Sequence, residues 1–416
     1  MEETANQETF KNYIHFWIGQ LFSLLGSLVL TFAIFVWIID VTGSALMLSI
    51  ANFIFLVPML IVTPFAGVIS DRVNRKLLIL VVDSLQAFLS VILALLFIVG
   101  FTELWFVFLF LGLRSVCQQF HGPAVMAIMP LMVPKEKLSR VNGIRYFFLG
   151  IVQFAGPAVG ATLLFFFPIK YVLWIDVITF FIALIPLITL KLPAIKIDVK
   201  HIKKKGFYKE FKEGLTIVKA IPGLLTIMLI AMMLFMLSQP AMVLAPYFIK
   251  IVHGGNNFTL AIIQMVLQGG MILGALVPFF KKKWKNQIRV LFIGMVIINF
   301  GYLLYGLAPI GYYSIISIGA FIMGFIMPIV NIIVITVVQS TVPTDKMGRV
   351  SSILNILMMV ATPIGAILSG PLSELWGVSF LYMICAIVSI IITIIPYVFT
   401  GIRHVDYNKV ILKPQI

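Results

Sequence analysis

Gly67-Val68-Ile69-Ser70-Asp71-Arg72-Val73-Asn74-Arg75-Lys76 forms a short polar turn between two apolar runs, 45–70 and 76–99. Each run exceeds the roughly 20 apolar residues that a helix needs to cross a bilayer. A turn carrying Arg72, Arg75 and Lys76 between two such runs predicts that the chain leaves a membrane and re-enters it on the same side.

The same rhythm fills the rest of the sequence. Spans are expected near 13–40, 45–70, 76–99, 103–132, 139–167 and 170–190, then near 222–250, 257–280, 288–308, 311–341, 347–372 and 376–401. Lipid offers the backbone no hydrogen-bond partner, so the spans must be helices. The runs are also too long and too uniformly apolar for barrel strands. Composition agrees: 61% of the 416 residues are hydrophobic, 11% are charged, and mean hydropathy is +1.12. Soluble domains carry about 25% charged residues.

The net charge of +15 suggests nucleic acid only if its placement is ignored. The cations sit in alternate turns: Arg72, Arg75 and Lys76; Lys135, Lys137 and Arg140; Lys191–Lys219; Lys281, Lys282, Lys283, Lys285 and Arg289; Lys346 and Arg349; Arg403, Lys409 and Lys413. The opposite turns hold only Lys170 and Lys250. Basic turns favour the cytoplasmic side. Both termini are therefore expected on the cytoplasmic side of the membrane, with the bilayer as partner and no nucleic acid. No cleaved leader is expected, because the first apolar stretch is longer than a signal-peptide core. Cys117 and Cys385 lie in apolar runs and read as packing residues; no metal or cofactor is expected.

The polar stretch after 190 divides the chain. The expected domains are a six-helix bundle over 1–190, a cytoplasmic linker over 191–221, a second bundle over 222–402 and a tail over 403–416. Within the linker, Phe207-Tyr208-Lys209-Glu210-Phe211-Lys212-Glu213-Gly214 predicts a short amphipathic helix lying near anionic headgroups. An internal repeat supports the division. Val133–Val141 and Val342–Val350 both read V-P-x-[ED]-K-[LM]-x-R-V, ahead of spans five and eleven.

The segment Gly67–Lys76 resembles the G-x-x-x-D-R-x-x-R-K signature of the major facilitator superfamily. The resemblance implies an all-α membrane protein of twelve transmembrane helices in two six-helix pseudo-symmetric halves. It also implies that Gly67, Asp71, Arg72, Arg75 and Lys76 form a conformational latch. Gly67 would permit close helix approach. The chain is further similar to the macrolide-efflux branch and related bacterial drug and siderophore exporters. That likeness rests on Thr42-Gly43-Ser44-Ala45, Arg114-Ser115, Phe120-His121-Gly122-Pro123-Ala124, Leu131-Met132-Val133-Pro134 and Ile175-Asp176-Val177. Gly156, Pro157 and Gly160 partly resemble the G-P-x-x-G-G element of antiporters and are expected to permit a helix bend.

An ionisable residue at membrane depth is costly and is a functional candidate for that reason. Asp83, Arg114 and Asp176 lie within spans, and Asp40 lies at an outer end; all four are proton-coupling candidates. Arg114 resembles the basic residue of the R-x-x-x-G element, although Gln118 stands where its glycine would be. Asp83 is the expected partner of Arg114. His121, followed by Gly122-Pro123, could face a cavity opened by helix-breaking residues. Substrate-cavity candidates are Gln118, His121, Tyr146, Gln153, Phe235, Met236, Gln239, Tyr247, Asn331 and Gln339.

The family likeness implies a proton-coupled exporter of small amphipathic compounds such as macrolides, working by alternating access. An importer or exporter of another small solute, a siderophore or nutrient, shares the fold, and a non-transporting membrane sensor is a further alternative. No constellation of catalytic side chains points to an enzyme. No G-x-x-x-x-G-K-[ST] loop is present, so the chain does not hydrolyse ATP itself. The resemblance leaves open cooperation with a separate ATP-binding protein.

Overall fold

The computed structural model describes residues 7–190, 207–280, 284, 286–343 and 346–405, and the regular elements among them are all helical. The chain divides into two compact units, Met1–Asp198 and Val199–Ile416. The first holds α1 (Gln7–Thr42), α2 (Ala45–Arg72), α3 (Arg75–Ile98), α4 (Leu104–Met132), α5 (Leu138–Phe166), α6 (Ile169–Val172) and α7 (Trp174–Thr189). The second holds α8 (Phe207–Ala220), α9 (Leu224–Val243), α10 (Ala245–Tyr247), α11 (Asn257–Phe280), α12 (Gln287–Leu307), α13 (Tyr313–Thr341), α14 (Met347–Trp376) and α15 (Val378–Phe399).

Local chemistry sets the boundaries. Gly43, at a φ of 56°, turns the chain after α1, and Ser44 caps α2 by accepting a hydrogen bond from the Met47 amide. Asn74 caps α3 in the same way through the Leu77 amide, and Asn286 caps α12 through that of Arg289. Between those caps, long unbroken apolar runs leave the helix nothing to stop it.

Eleven stretches among the described residues are long and apolar enough to cross a membrane. The twelfth span is α4. It has 29 residues but carries Arg114, Gln118, Gln119 and His121 in its middle. Its lower hydropathy is thus a local consequence of polar groups placed at membrane depth. Large apolar side chains such as Phe165, Phe166, Ile185 and Phe399 stand exposed on the helices, as expected of surfaces that face lipid.

The helices pair on the same plan in both units. In the first unit α1 packs on α5 and α7, α2 on α4, and α3 on both α4 and α7. In the second, α9 packs on α14 and α15, α11 on α13, and α12 on both α13 and α15. The same span-to-span pairings recur in both units, which is the structural form of the repeat seen in the sequence.

The helix over 207–220 forms, but its apolar side is not left to headgroups. Ile217, Val218 and Ile221 are buried in the core of the second unit with Val342, Val350, Ile353 and Ile402. Gly214 sits against α14: a Cβ there would lie 3.0 Å from the Arg349 carbonyl oxygen. Glu213 meets Arg349 at 3.0 Å. The apolar side chains Ile217, Val218 and Ile221 therefore meet protein, and those of Phe207, Tyr208 and Phe211 in the predicted stretch lie outside the described residues.

Candidate functional site

The buried polar groups of the first unit gather where α1, α3, α4 and α7 meet. Arg114 on α4 forms a two-pronged ion pair with Asp176 on α7: Nη1 lies 2.6 Å from Oδ2 and Nη2 lies 3.1 Å from Oδ1. Both side chains are 5% exposed. Two serines complete the carboxylate's shell. Ser27 on α1 donates to Oδ1 at 2.8 Å, and Ser90 on α3 donates to Oδ2 at 2.5 Å. Arg114 also reaches the hydroxyls of Ser27 and Ser90 and the Gln86 carbonyl. A forked guanidinium with so many acceptors satisfies the conditions under which a buried pair persists.

The expected partner of Arg114 was Asp83; the structure gives it Asp176 instead. Asp83, on α3, stands 3.4 Å from His121 Nε2 on α4. The same His121 nitrogen lies 2.8 Å from Gln20 Oε1 on α1. The two carboxylates thus occupy different environments within one cluster. A small polar cavity of about 30 Å³ joins them, lined by Ser23, Ser27, Asp83, Gln118, His121 and Asp176 among others. That volume holds about two water molecules.

Gly26 explains how α7 comes so close. A Cβ built on Gly26 would clash with the Thr179 hydroxyl and lie 3.0 Å from the Asp176 Cα. The missing side chain lets Asp176 reach Ser27, the next residue on α1. Gln20, Ser27, Gln86, Ser90 and Gly26 were not read from the sequence as site residues. In long apolar runs, a polar residue at membrane depth is the signal that finds the first four.

The other candidates lie apart from this cluster. Asp40 is exposed at the end of α1. Gln153 is exposed on α5, and the side chain of Tyr146 lies outside the described residues. In the second unit Gln239 is buried, donating to the Phe235 carbonyl at 3.2 Å. Phe235, Met236 and Tyr247 are half-buried; Asn331 and Gln339 are exposed on α13. Gly156 and Gly160 admit Leu28 and Phe32 of α1, and α5 continues as one helix through Pro157. Likewise α4 runs unbroken past Gly122 and Pro123, so the cavity beside His121 is walled by side chains rather than by opened backbone.

In the turn after α2, Arg75 donates to the Ala127 carbonyl of α4 at 3.1 Å. Lys76 donates to the carbonyls of Ile188 and Leu190, at the end of α7, at 2.6 and 2.7 Å. Cations at a helix C-terminus complement its unpaired carbonyls and dipole. The side chains of Asp71 and Arg72 lie outside the described residues. Among the described residues, a Cβ on Gly67 would meet no neighbour.

The sequence model of the Major Facilitator Superfamily matches residues 16–366. The chain belongs to that superfamily. It is a multi-pass membrane transporter rather than an enzyme, built to handle a small substrate within a bilayer.

Within the Major Facilitator Superfamily, the chain is 27% identical to macrolide efflux protein A of Streptococcus pyogenes over 390 residues, 94% of this chain and 96% of that one. It is 25% identical over 398 residues to the multidrug efflux pump Tap of Mycolicibacterium fortuitum, 91% and 93% of the two chains. A bacterial homologue of the iron transporter ferroportin, in an inward-facing state, shares the fold at a TM-score of 0.70 and 14% identity, covering 92% of this chain and 98% of that one. The nucleoside transporter NupG does so at 0.68 and 15%, covering 94% and 98%. Twelve helices in two pseudo-symmetric halves are the architecture of this chain.

Proposed function

We propose that this transporter is a proton-driven exporter of amphipathic compounds such as macrolides, working by alternating access in a bacterial plasma membrane with both termini inside. The observation that carries the reading is the charged cluster of Asp83, His121, Arg114 and Asp176, buried at membrane depth in the first unit. By contrast, α9, α11, α13 and α15 contain no Asp, Glu, Lys or Arg, and α12 and α14 hold them only in a terminal turn. A transporter using an ionic gradient needs ionisable groups that conformational change can hydrate and seal. Groups of that kind are concentrated in one unit here.

The substrate class draws on the relatives that are named for macrolide and multidrug efflux. The orientation draws on the basic turns. Alternating access draws on the repeated halves, with Gly67, Asp71, Arg72, Arg75 and Lys76 as the latch. In that role Arg75 and Lys76 tie the ends of α4 and α7 to the start of α3. Gln118 and His121, which line the small cavity of the first unit, are the residues of this cluster that the proposal turns toward the substrate.

Accumulation of radiolabelled erythromycin in cells expressing the protein tests the reading. Lower accumulation than in control cells, restored by a protonophore, is the expected result. Unchanged accumulation with the protein present in the membrane would remove macrolides and direct the search to other small solutes, siderophores and nutrients included.

A further inference from the structure

The buried cluster contains two carboxylates, one guanidinium and one imidazole, and they are unevenly matched. Arg114 and Asp176 neutralise each other through a forked pair backed by two serines. That leaves Asp83, 5% exposed, facing the His121 imidazole at 3.4 Å and the neutral Gln20 amide, with no cation of its own. A separation of 3.4 Å to a single nitrogen is poor geometry for a buried ion pair, and such a pair rarely offsets its desolvation. A lone carboxylate there would be costlier still. An ionised Asp83 is therefore a costly group in the closed bundle.

Three helices, α1, α4 and α7, present groups to the cavity beside Asp83. From α1 come Gln20, Ser23 and Ser27, none of which titrates. From α4 come Arg114, His121 and the buried Cys117, and from α7 comes Asp176. Both groups line the cavity, and the imidazole is the more open of the two, at 17% against 5%.

We propose that Asp83 holds the coupling proton and that His121 is the relay that loads and unloads it, while Arg114–Asp176 is a fixed brace. In loading, the imidazole takes a proton from water on one ring nitrogen. The N–H bond at Nε2 breaks, and an O–H bond forms on Asp83. Unloading reverses these steps and returns the proton to water. The Gln20 amide, 2.8 Å from Nε2, has both an acceptor and a donor and can serve either ring tautomer. A deprotonated Asp83 leaves an uncompensated negative charge in the bundle. Release is therefore tied to a conformation that lets water in.

The assignment rests on the proton-driven reading, but its test needs no exported compound. Full-length protein in phosphatidylethanolamine–phosphatidylglycerol vesicles is followed by infrared difference spectroscopy during a pH titration. The carbonyl band of one protonated carboxylic acid should appear, move in frequency in Asp83→Glu, and persist in Asp176→Asn. After mixing with D₂O, exchange at that band should slow on the order of a hundredfold in His121→Gln. A band that ignores Asp83→Glu overturns the carrier, as does one that vanishes in Asp176→Asn protein whose melting curve shows it folded. Unchanged exchange in His121→Gln overturns the relay. An intact band beside a failed erythromycin assay would sink the substrate class and leave the proton site standing.

Discussion

Arg114 Nη1 lies 2.6 Å from Asp176 Oδ2, joining α4 to α7 between side chains that are each 5% exposed. Removing one member of such a pair strands the other in a medium of low dielectric, at a cost of about 3–5 kcal/mol. Arg114→Met and Asp176→Leu should each sharply lower the melting temperature of the detergent-purified protein. The double substitution should recover most of the loss, because an apolar pair strands no charge. Losses that simply add in the double variant would show that the two groups act independently.

Gly26→Ala should destabilise the first unit by about 1–3 kcal/mol, the range for overpacking a tight contact. The new methyl would press on the Asp176 backbone, with 3.0 Å to its Cα. Gly122→Ala is the control. No atom lies near its built Cβ, and alanine favours a helix over glycine by about 1 kcal/mol. Thermal unfolding of both variants checks the contrast; equal effects would contradict the packing account.

A second pair of glycines makes the same point on α11. A Cβ on Gly274 would clash with the Phe325 carbonyl and lie 3.0 Å from its Cα, whereas one on Gly269 would meet nothing. Gly274→Ala should reduce the yield of folded protein markedly, and Gly269→Ala should not. Fluorescence size-exclusion profiles of tagged variants measure this directly.

The docking of α8 depends on shape more than on charge. Glu213 and Arg349 are about 30% exposed, so Glu213→Gln should shift stability by no more than about 1 kcal/mol. Gly214→Leu should push α8 away from Arg349 and Ile353 and raise hydrogen exchange across 212–220. Unaltered exchange in that variant would mean that the contact is dispensable.

The spans were legible because lipid imposes one rule on every residue of a run, and the helix ends fall close to the expected boundaries. The apolar runs gave the count and the alternation of basic turns supported it, even though α4 is diluted by Arg114, Gln118, Gln119 and His121. The pairing inside the cluster was not legible. Asp83 and Asp176 are both carboxylates within spans, and only the packing of α3 against α4 and α7 decides which meets Arg114. Gly26 looked like any glycine in an apolar run, because its partner is far off in sequence. Gly270 and Gly274, four residues apart on α11, did carry a readable spacing for close helix contact. The pattern of α8 specified a helix with one apolar face, and a pattern alone does not say whether lipid or protein covers that face.

The most direct test of proton-driven export uses purified full-length protein in vesicles across which a pH gradient is imposed. Radiolabelled erythromycin should move against its own gradient and opposite to the protons. A protonophore should abolish that movement, and Asp83→Asn, with protein confirmed in the vesicles, should abolish it too. Uphill movement that survives both treatments would contradict the coupling at Asp83, and movement that never depends on the pH gradient would contradict proton-driven export itself.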